Sequence, residues 1–135
     1  MAKTQTSTTL ITAGTSNAAA GTTRAILDVR AFDGGIVTMK LTNGTTGPTA
    51  AAEGRVLIAH NTSATAPTAA SAGVDWKTVH RFNGGTAPND GTTTNHITES
   101  HWRFGPEVTY IEVEIAGNTG QAVVCEASAT TFVYA

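Results

Sequence analysis

The sequence predicts an all-β fold: an antiparallel β-sandwich, jelly-roll-like, with eight or nine short strands. First, apolar and polar residues alternate with a period of two in several stretches, which is typical of strands with one buried face. Second, clusters of Gly, Asn, Asp and Pro separate these stretches at regular intervals, as in sandwiches and jelly rolls. Third, threonine and alanine supply roughly a third of the 135 residues, and threonine favours strands.

The alternating stretches define nine candidate strands. Between the second and third of them, Asp33, Gly34 and Gly35 form a tight turn, which predicts a hairpin. A near-continuous apolar run at residues 56–59 predicts a strand that is buried on both faces. The candidate strands are residues 6–12, 23–32, 36–42, 55–61, 75–82, 96–104, 108–115, 121–127 and 130–134.

The most regular stretch, residues 107–127, predicts a long central hairpin. Ile111, Val113 and Ile115 share one face of its first strand. The loop that follows, residues 117–120, can reverse the chain because Gly and Asn tolerate positive φ. A lone hairpin cannot bury its apolar face, so we expect the remaining strands to pack onto it.

The length predicts one domain that spans residues 1–135, with residues 1–9 as a candidate N-terminal arm. The arm is polar and threonine-rich, which suits pairing with an exposed sheet edge of another subunit. Charged residues make up only 13% of the chain, against about 25% in ordinary soluble domains. Two explanations stay open: a threonine-coated domain that is soluble as it is, or a surface that partners cover.

The acidic residues of the central stretch are the first candidates for chemistry. Glu112 and Glu114 share one strand face at a spacing of about 7 Å, which a general acid/base pair tolerates. A solvent-exposed strand face explains the same pattern more simply. The sequence contains no Gly-x-Ser-x-Gly elbow, phosphate-binding loop or dinucleotide fingerprint. We therefore expect no enzymatic activity.

The histidines and the single cysteine show no metal-binding pattern. His60, His80, His96 and His101 lack the short spacings of ligand sets, and there is no Cys-x-x-Cys pair. We expect neither a metal nor another cofactor. Cys125, being alone, excludes an internal disulfide and suits folding in a reducing cytoplasm. It is expected to behave as a small buried apolar residue.

Charge and hydropathy restrict the kinds of partner. The net charge is −2 and no Lys/Arg cluster occurs, which argues against nucleic acid as a ligand. No apolar run approaches the length of about 20 residues that a membrane span needs. The first residues lack the apolar region of a secretion signal. The sequence thus favours other proteins as partners, without nucleic acid or membrane.

Aromatic and basic residues concentrate in two segments, one with Trp76 and Arg81 and one with Trp102 and Arg103. Trp and Arg anchor protein interfaces, exposed Trp also stacks on sugars, and burial of both Trp in the core is the third alternative. Residues 83–95 are the longest turn-rich segment, and loops of this length are uncommon unless they bind something or are held by a neighbouring segment. The candidate interface residues are Lys3, Thr4, Gln5, Thr6, Trp76, Arg81, Asn89, Asp90, Trp102 and Arg103.

In composition and strand pattern, the chain resembles the small virion proteins of tailed bacteriophages, and among these most resembles the capsid decoration or cement proteins. The resemblance covers the whole chain. The residues that contribute most to it are Arg55-Val56-Leu57-Ile58-Ala59-His60-Asn61, Asp75-Trp76-Lys77-Thr78-Val79 and Tyr110-Ile111-Glu112-Val113-Glu114.

The resemblance implies a jelly-roll or related sandwich that assembles as a homotrimer. It implies a non-enzymatic role in binding and stabilising the shell of the major capsid protein, next to other virion proteins. The expected location is the virion, assembled in the cytoplasm of the host bacterium. An alternative is a tail or tail-tip component that binds a host glycan through the Trp segments.

Overall fold

Eight strands in two sheets make up the computed structural model of the chain, which describes residues 2–59 and 76–134. The alternating sequence stretches form these strands because each can bury one face against the opposite sheet. Their bounds are β1 Lys3–Asn17, β2 Thr22–Asp28, β3 Gly34–Asn43, β4 Glu53–Ala59, β5 Trp76–Asn83, β6 Ile97–Phe104, β7 Tyr110–Ala116 and β8 Val123–Tyr134.

The two sheets have the strand orders β1-β8-β3-β6, called the first sheet below, and β2-β7-β4-β5, called the second sheet. Every pairing within them is antiparallel. Consecutive strands lie in opposite sheets, except for β4 and β5, which are neighbours in the second sheet. This strand order is the arrangement of a jelly roll. The predicted all-β antiparallel sandwich is confirmed.

The predicted hairpins are wrong. β7 and β8 lie in different sheets, so residues 117–122 cross from one sheet to the other. Gly117 and Gly120 do turn the chain at positive φ, but Thr119 forms a β-bridge with Ala50 instead of closing a hairpin. β2 and β3 are separated in the same way across Asp33. Alternation identifies a strand and its buried face, but it does not identify the neighbouring strand.

The last two candidate strands are one continuous strand, β8. The buried apolar residues of β8 belong to the same core cluster as Ile111, Val113 and Ile115 of β7. These three residues of β7 are fully buried, as predicted. Apolar side chains from both sheets thus meet in one core, and removing them from water stabilises the sandwich. The core residues of the first sheet include Ile11, Val37, Met39, Leu41, Phe104, Val123, Cys125, Ala127 and Ala129.

Residues 1–9 do not form a separate arm in the described part of the chain. Lys3–Thr9 belongs to β1 and pairs in regular register with β8, from Tyr134 back to Ser128. The side chains of residues 3–7 are exposed, whichever face of the strand they lie on. β1 has 15 residues, whereas β2 in the opposite sheet has seven. The start of β1 therefore extends beyond the end of β2.

A β-bulge interrupts the alternation of β5. Val56 pairs with His80 and Leu57 pairs with Thr78, so Val79 is the extra residue. At the bulge, Val79 packs against the core. His80 then reaches across to the first sheet, where its Nε2 lies 2.6 Å from the Ser100 hydroxyl.

Some predictions concern residues outside the described ranges. His60, Asn61 and Asp75 belong to this group. Within the described residues, the strand predicted at 55–61 is β4, and the strand predicted at 75–82 is β5.

Cys125 is buried in β8, as predicted. Burial raises the pKa of its thiol, which lies 3.5 Å from the Thr15 carbonyl oxygen. Cys125→Ser should lower the free energy of unfolding by about 1–2 kcal/mol, because a hydroxyl costs more to bury than a thiol. Cys125→Ala should cost less, and thermal unfolding of both variants measures the difference. A serine variant as stable as the wild type would contradict the apolar role of this position.

Candidate functional site

The central strand of the second sheet, β7, is buried even on its outer face. Tyr110, Glu112 and Glu114 point away from the core on β7, yet their exposed fractions are 0%, 0% and 7%. The guanidinium of Arg30 lies over the Tyr110 ring, 4.9 Å from its centroid. The prediction that Glu112 and Glu114 occupy a solvent-exposed face is therefore wrong.

Two arginines on the neighbouring strands neutralise these carboxylates. Arg24 Nε on β2 donates to Glu114 at 2.9 Å and lies 3.2 Å from Glu112 Oε1. Arg55 Nη1 on β4 donates to the other oxygen of Glu114 at 2.8 Å. A buried carboxylate needs such partners, because desolvation otherwise disfavours its charge. The pair is held by arginines and does not present a free acid and base.

The ion pairs continue along the same face to the edge strand β5. Glu53 forms ion pairs with Arg55 on its own strand and with Arg81 on β5, the latter at 3.5 Å. The hydrogen bond from Arg55 to Glu53 is the main cause that raises the pKa of the Arg55 guanidinium. Arg81, a predicted interface residue, thus belongs to this network although its side chain is 61% exposed.

The outer face of the first sheet is open. Its side chains form rows across the strands, and most are hydroxyls or exposed charges. A shallow groove of about 550 Å³ follows the middle of this face, where Lys40 Nζ lies 3.6 Å from Glu126 Oε1. The side chains that line the groove belong to Thr38, Lys40, Glu99, His101, Glu126 and Ser128.

An apolar row borders the groove at one end. Val124, Thr42 and Ile97 are aligned across β8, β3 and β6, and the two apolar residues are among the most exposed large hydrophobic side chains described. Together, the groove and this row form the open face of the first sheet, which we take as the candidate functional site. It is a broad and shallow binding surface.

The predicted interface residues of the first sheet lie at its two opposite edges. Lys3, Thr4, Gln5 and Thr6 begin the edge strand β1. Trp102 and Arg103 lie on β6, three strands away, which corresponds to about 14 Å. The structure therefore does not gather these residues in one cluster.

The two residues on β6 have different surroundings. The Trp102 ring packs against the core and stacks on Phe104 at 6.2 Å between centroids. Of the three alternatives for this residue, the structure supports packing against the core. Arg103 is exposed on the opposite face of the strand. Trp76 lies half-buried at the start of β5 in the second sheet. The two tryptophans thus belong to different sheets and do not form a common aromatic platform.

Asn89 and Asp90 lie in the loop between β5 and β6, at the end of the sandwich. The Asn89 N–H donates to the Gly44 carbonyl at 2.8 Å. The Asp90 carboxylate accepts hydrogen bonds from the backbone N–H groups and hydroxyls of Thr92 and Thr93. Both oxygens of the Asp90 carboxylate accept hydrogen bonds from within the loop, so this side chain stabilises the turn at residues 90–93.

The hydrogen bonds from Thr93 and Thr92 hold the pKa of the Asp90 carboxyl well below its usual value near 3.8. Because the folded-state pKa is lowered, the contribution to stability is present above the usual pKa and is lost as pH falls through the folded value. NMR titration should give an Asp90 midpoint below 3.8 in the wild type. Thr93→Val, which removes one hydroxyl donor, should raise that midpoint. An Asp90 midpoint at the usual value would contradict the described turn.

Two buried asparagines organise the loops at this end. Asn43 Nδ2 donates to the carbonyls of Gly84, Gly85 and Ala87. Asn118 is fully buried. Its Oδ1 accepts a hydrogen bond from Asn17 Nδ2, and its Nδ2 donates to the Ala18 carbonyl in the β1–β2 loop. Neither role can be predicted from the sequence, since an asparagine beside a glycine indicates a turn and gives no sign of distant partners.

Among residues 2–59 and 76–134, no group of three or more His, Cys, Asp or Glu side chains is placed to hold a metal ion. The same ranges contain no helix that could span a membrane.

No family model matches the chain, and no curated protein matches it in sequence. Several solved structures are similar to the chain. A chain of infectious bursal virus-derived T=1 particles is 12% identical at a TM-score of 0.50, with 98% of this chain matched to 32% of that one. The SPBc2 prophage-derived protein YomS is 12% identical at a TM-score of 0.43, over 98% of this chain and 96% of that one.

A mitogen of Yersinia pseudotuberculosis is also similar, at 11% identity and a TM-score of 0.46, over 99% of this chain and 88% of that one. The chain spans about a third of the virus particle protein that it matches. The likeness to the virus particle chain, at a TM-score of 0.50, shows the fold alone. The similar structures thus include a virus particle protein, a prophage-derived protein and a bacterial mitogen.

Proposed function

We propose that the chain is a non-enzymatic structural protein of a bacteriophage virion, a capsid decoration protein that binds and stabilises the shell of the major capsid protein. The observation that supports this most is the contrast between the two outer faces. On the second sheet, the carboxylates of β7 are buried in ion pairs with arginines. The first sheet instead presents an open face of hydroxyl and charged side chains with an apolar row.

Such a face suits a broad protein contact. It is shallow, its hydroxyl side chains cost little to desolvate when a partner bonds them, and exposed Ile97 and Val124 add apolar area. The sandwich beneath it is held by the core, so little order has to be gained on binding. The resemblance of the sequence to decoration proteins, and a fold also used by a virus particle protein, agree with this role.

The test adds the purified chain to phage particles that lack it and measures bound copies by quantitative mass spectrometry. A decoration protein should saturate at on the order of hundreds of copies per particle, in proportion to capsid subunits. Thr38→Arg places a large cation in the middle of the open face and should weaken binding at least tenfold. Thr78→Arg, on an exposed threonine of the outer face of the second sheet, should bind as the wild type does.

Absence of saturable binding by the wild type would overturn the decoration role. A few to a few dozen copies per particle would instead favour a tail or tail-tip component. The groove gives that second candidate its support, because hydroxyl and charged side chains such as Thr38, Lys40 and Glu126 can hydrogen-bond the hydroxyls of a host glycan. Binding on a glycan array that is lost in Lys40→Ala would favour it.

A further inference from the structure

The edge strands of the two sheets differ in how they are protected against pairing with other chains. Edge strands usually carry charges or bulges that prevent such pairing. In the described part of the chain, β2, β5 and β6 follow this rule, and β5 also has the bulge at Val79. Their charged residues are Arg24 and Asp28 on β2, Lys77 and Arg81 on β5, and Glu99 and Arg103 on β6.

The first seven residues of β1 lack this protection. Residues 3–9 pair with β8 in unbroken register, and the first register shift comes between Thr9 and Ile11. Lys3 is their single charge, and its ammonium lies over the Phe132 ring on β8, 5.7 Å from the centroid. The cation therefore sits on the side of the strand away from its free edge. No strand of the described chain pairs with that edge.

We propose that this edge pairs with the same strand of a second copy of the chain, antiparallel about a two-fold axis. The register that uses the whole straight segment places Thr6 opposite Thr6 of the other copy, and Lys3 opposite Thr9. The two first sheets then join into one eight-stranded sheet across the dimer. Backbone hydrogen bonds form the contact, as in strand addition generally.

The charge and composition of this edge favour a second copy of the chain as its partner. The edge is neutral from Thr4 to Thr9, so an identical edge meets it without like charges facing each other. In this register the two Lys3 residues lie six positions apart, about 20 Å along the strand. Threonine and serine side chains face one another across the pair, an arrangement that stabilises antiparallel strands.

The length of β1 leaves room for a second sandwich to approach its free edge. Residues 3–7 are exposed on both faces, and the sandwich lies toward the carboxyl end of the strand. Antiparallel pairing centred on Thr6 places the two sandwiches at opposite ends of the shared segment. An isologous contact of this kind closes as a dimer, in contrast to the trimer that the sequence resemblance implies.

Sedimentation equilibrium of the full chain should give a reversible monomer–dimer equilibrium, because a contact of seven residues is smaller than a standard stable interface. Thr6→Lys places two cations opposite each other and should weaken the dimer at least tenfold. Thr94→Lys adds the same charge on an exposed loop and should leave the equilibrium unchanged. Circular dichroism and thermal unfolding verify that both variants fold.

An independent test introduces a cysteine at the axis. Paired residues on antiparallel strands have Cα atoms about 4.5–5.5 Å apart, within the range that a disulfide spans. Under mild oxidation Thr6→Cys should form covalent dimers, while Thr94→Cys should form few, and buried Cys125 should contribute none. A chain that stays monomeric up to about 1 mM, a trimer, or a dimer that is equally strong in Thr6→Lys would each overturn the proposal.

Discussion

Ile111→Ala should lower the free energy of unfolding by about 3–4 kcal/mol. Ile111 is fully buried on β7, a central strand of the second sheet, where it pairs with Leu27 on one side and Ile58 on the other. Removing three carbon atoms there loses their transfer free energy and leaves a cavity between the sheets that rigid strands cannot close. Denaturant unfolding monitored by circular dichroism measures the effect.

Ile97→Ala is the matched control. It is the same substitution on a strand residue, but Ile97 is 45% exposed on the open face of the first sheet. Its cost should stay below about 1.5 kcal/mol, because part of the side chain is already in water and no enclosed cavity forms. Similar losses in both variants would contradict the described burial of β7. Because Ile97 lies on the candidate binding face, the same variant also reports on particle binding without a large change in stability.

Asn118→Ala should cost about 2–4 kcal/mol, a large effect for a loop residue. The Asn118 amide donates to the carbonyls of Asn17, Ala18 and Gln121, and its carbonyl oxygen accepts a 2.6 Å hydrogen bond from Asn17 Nδ2. Alanine would leave these buried groups without their partner, and an unsatisfied buried polar group costs more than a hydrogen bond contributes. Thermal unfolding gives the measurement.

Asn89→Ala serves as the control for this prediction. Asn89 is also a loop asparagine, but it is exposed and its described hydrogen bond is made by the backbone N–H, which alanine keeps. We expect a change within about 0.5 kcal/mol. If Asn118→Ala were equally mild, the joining of the β1–β2 and β7–β8 loops would not depend on this side chain.

The sequence alone determines the all-β class and the positions of most strands. Ile111, Val113 and Ile115 show why: a strand exposes alternate residues to opposite sides, so a period of two is visible without knowledge of any partner. The buried state of Cys125 follows from the same periodicity. The identification of residues 83–95 as a loop rests on Gly, Pro and Asn, whose backbone preferences are local as well.

Only the tertiary structure decides which strands are neighbours. β7 and β8 are adjacent in sequence and alternate well, yet they lie in opposite sheets, and β8 pairs with β1 and β3. The burial of Glu114 has the same origin, because Arg24 and Arg55 are 90 and 59 residues away in sequence. Alternation is set by the local backbone, whereas strand order and charge pairing depend on contacts that form only when distant segments pack together.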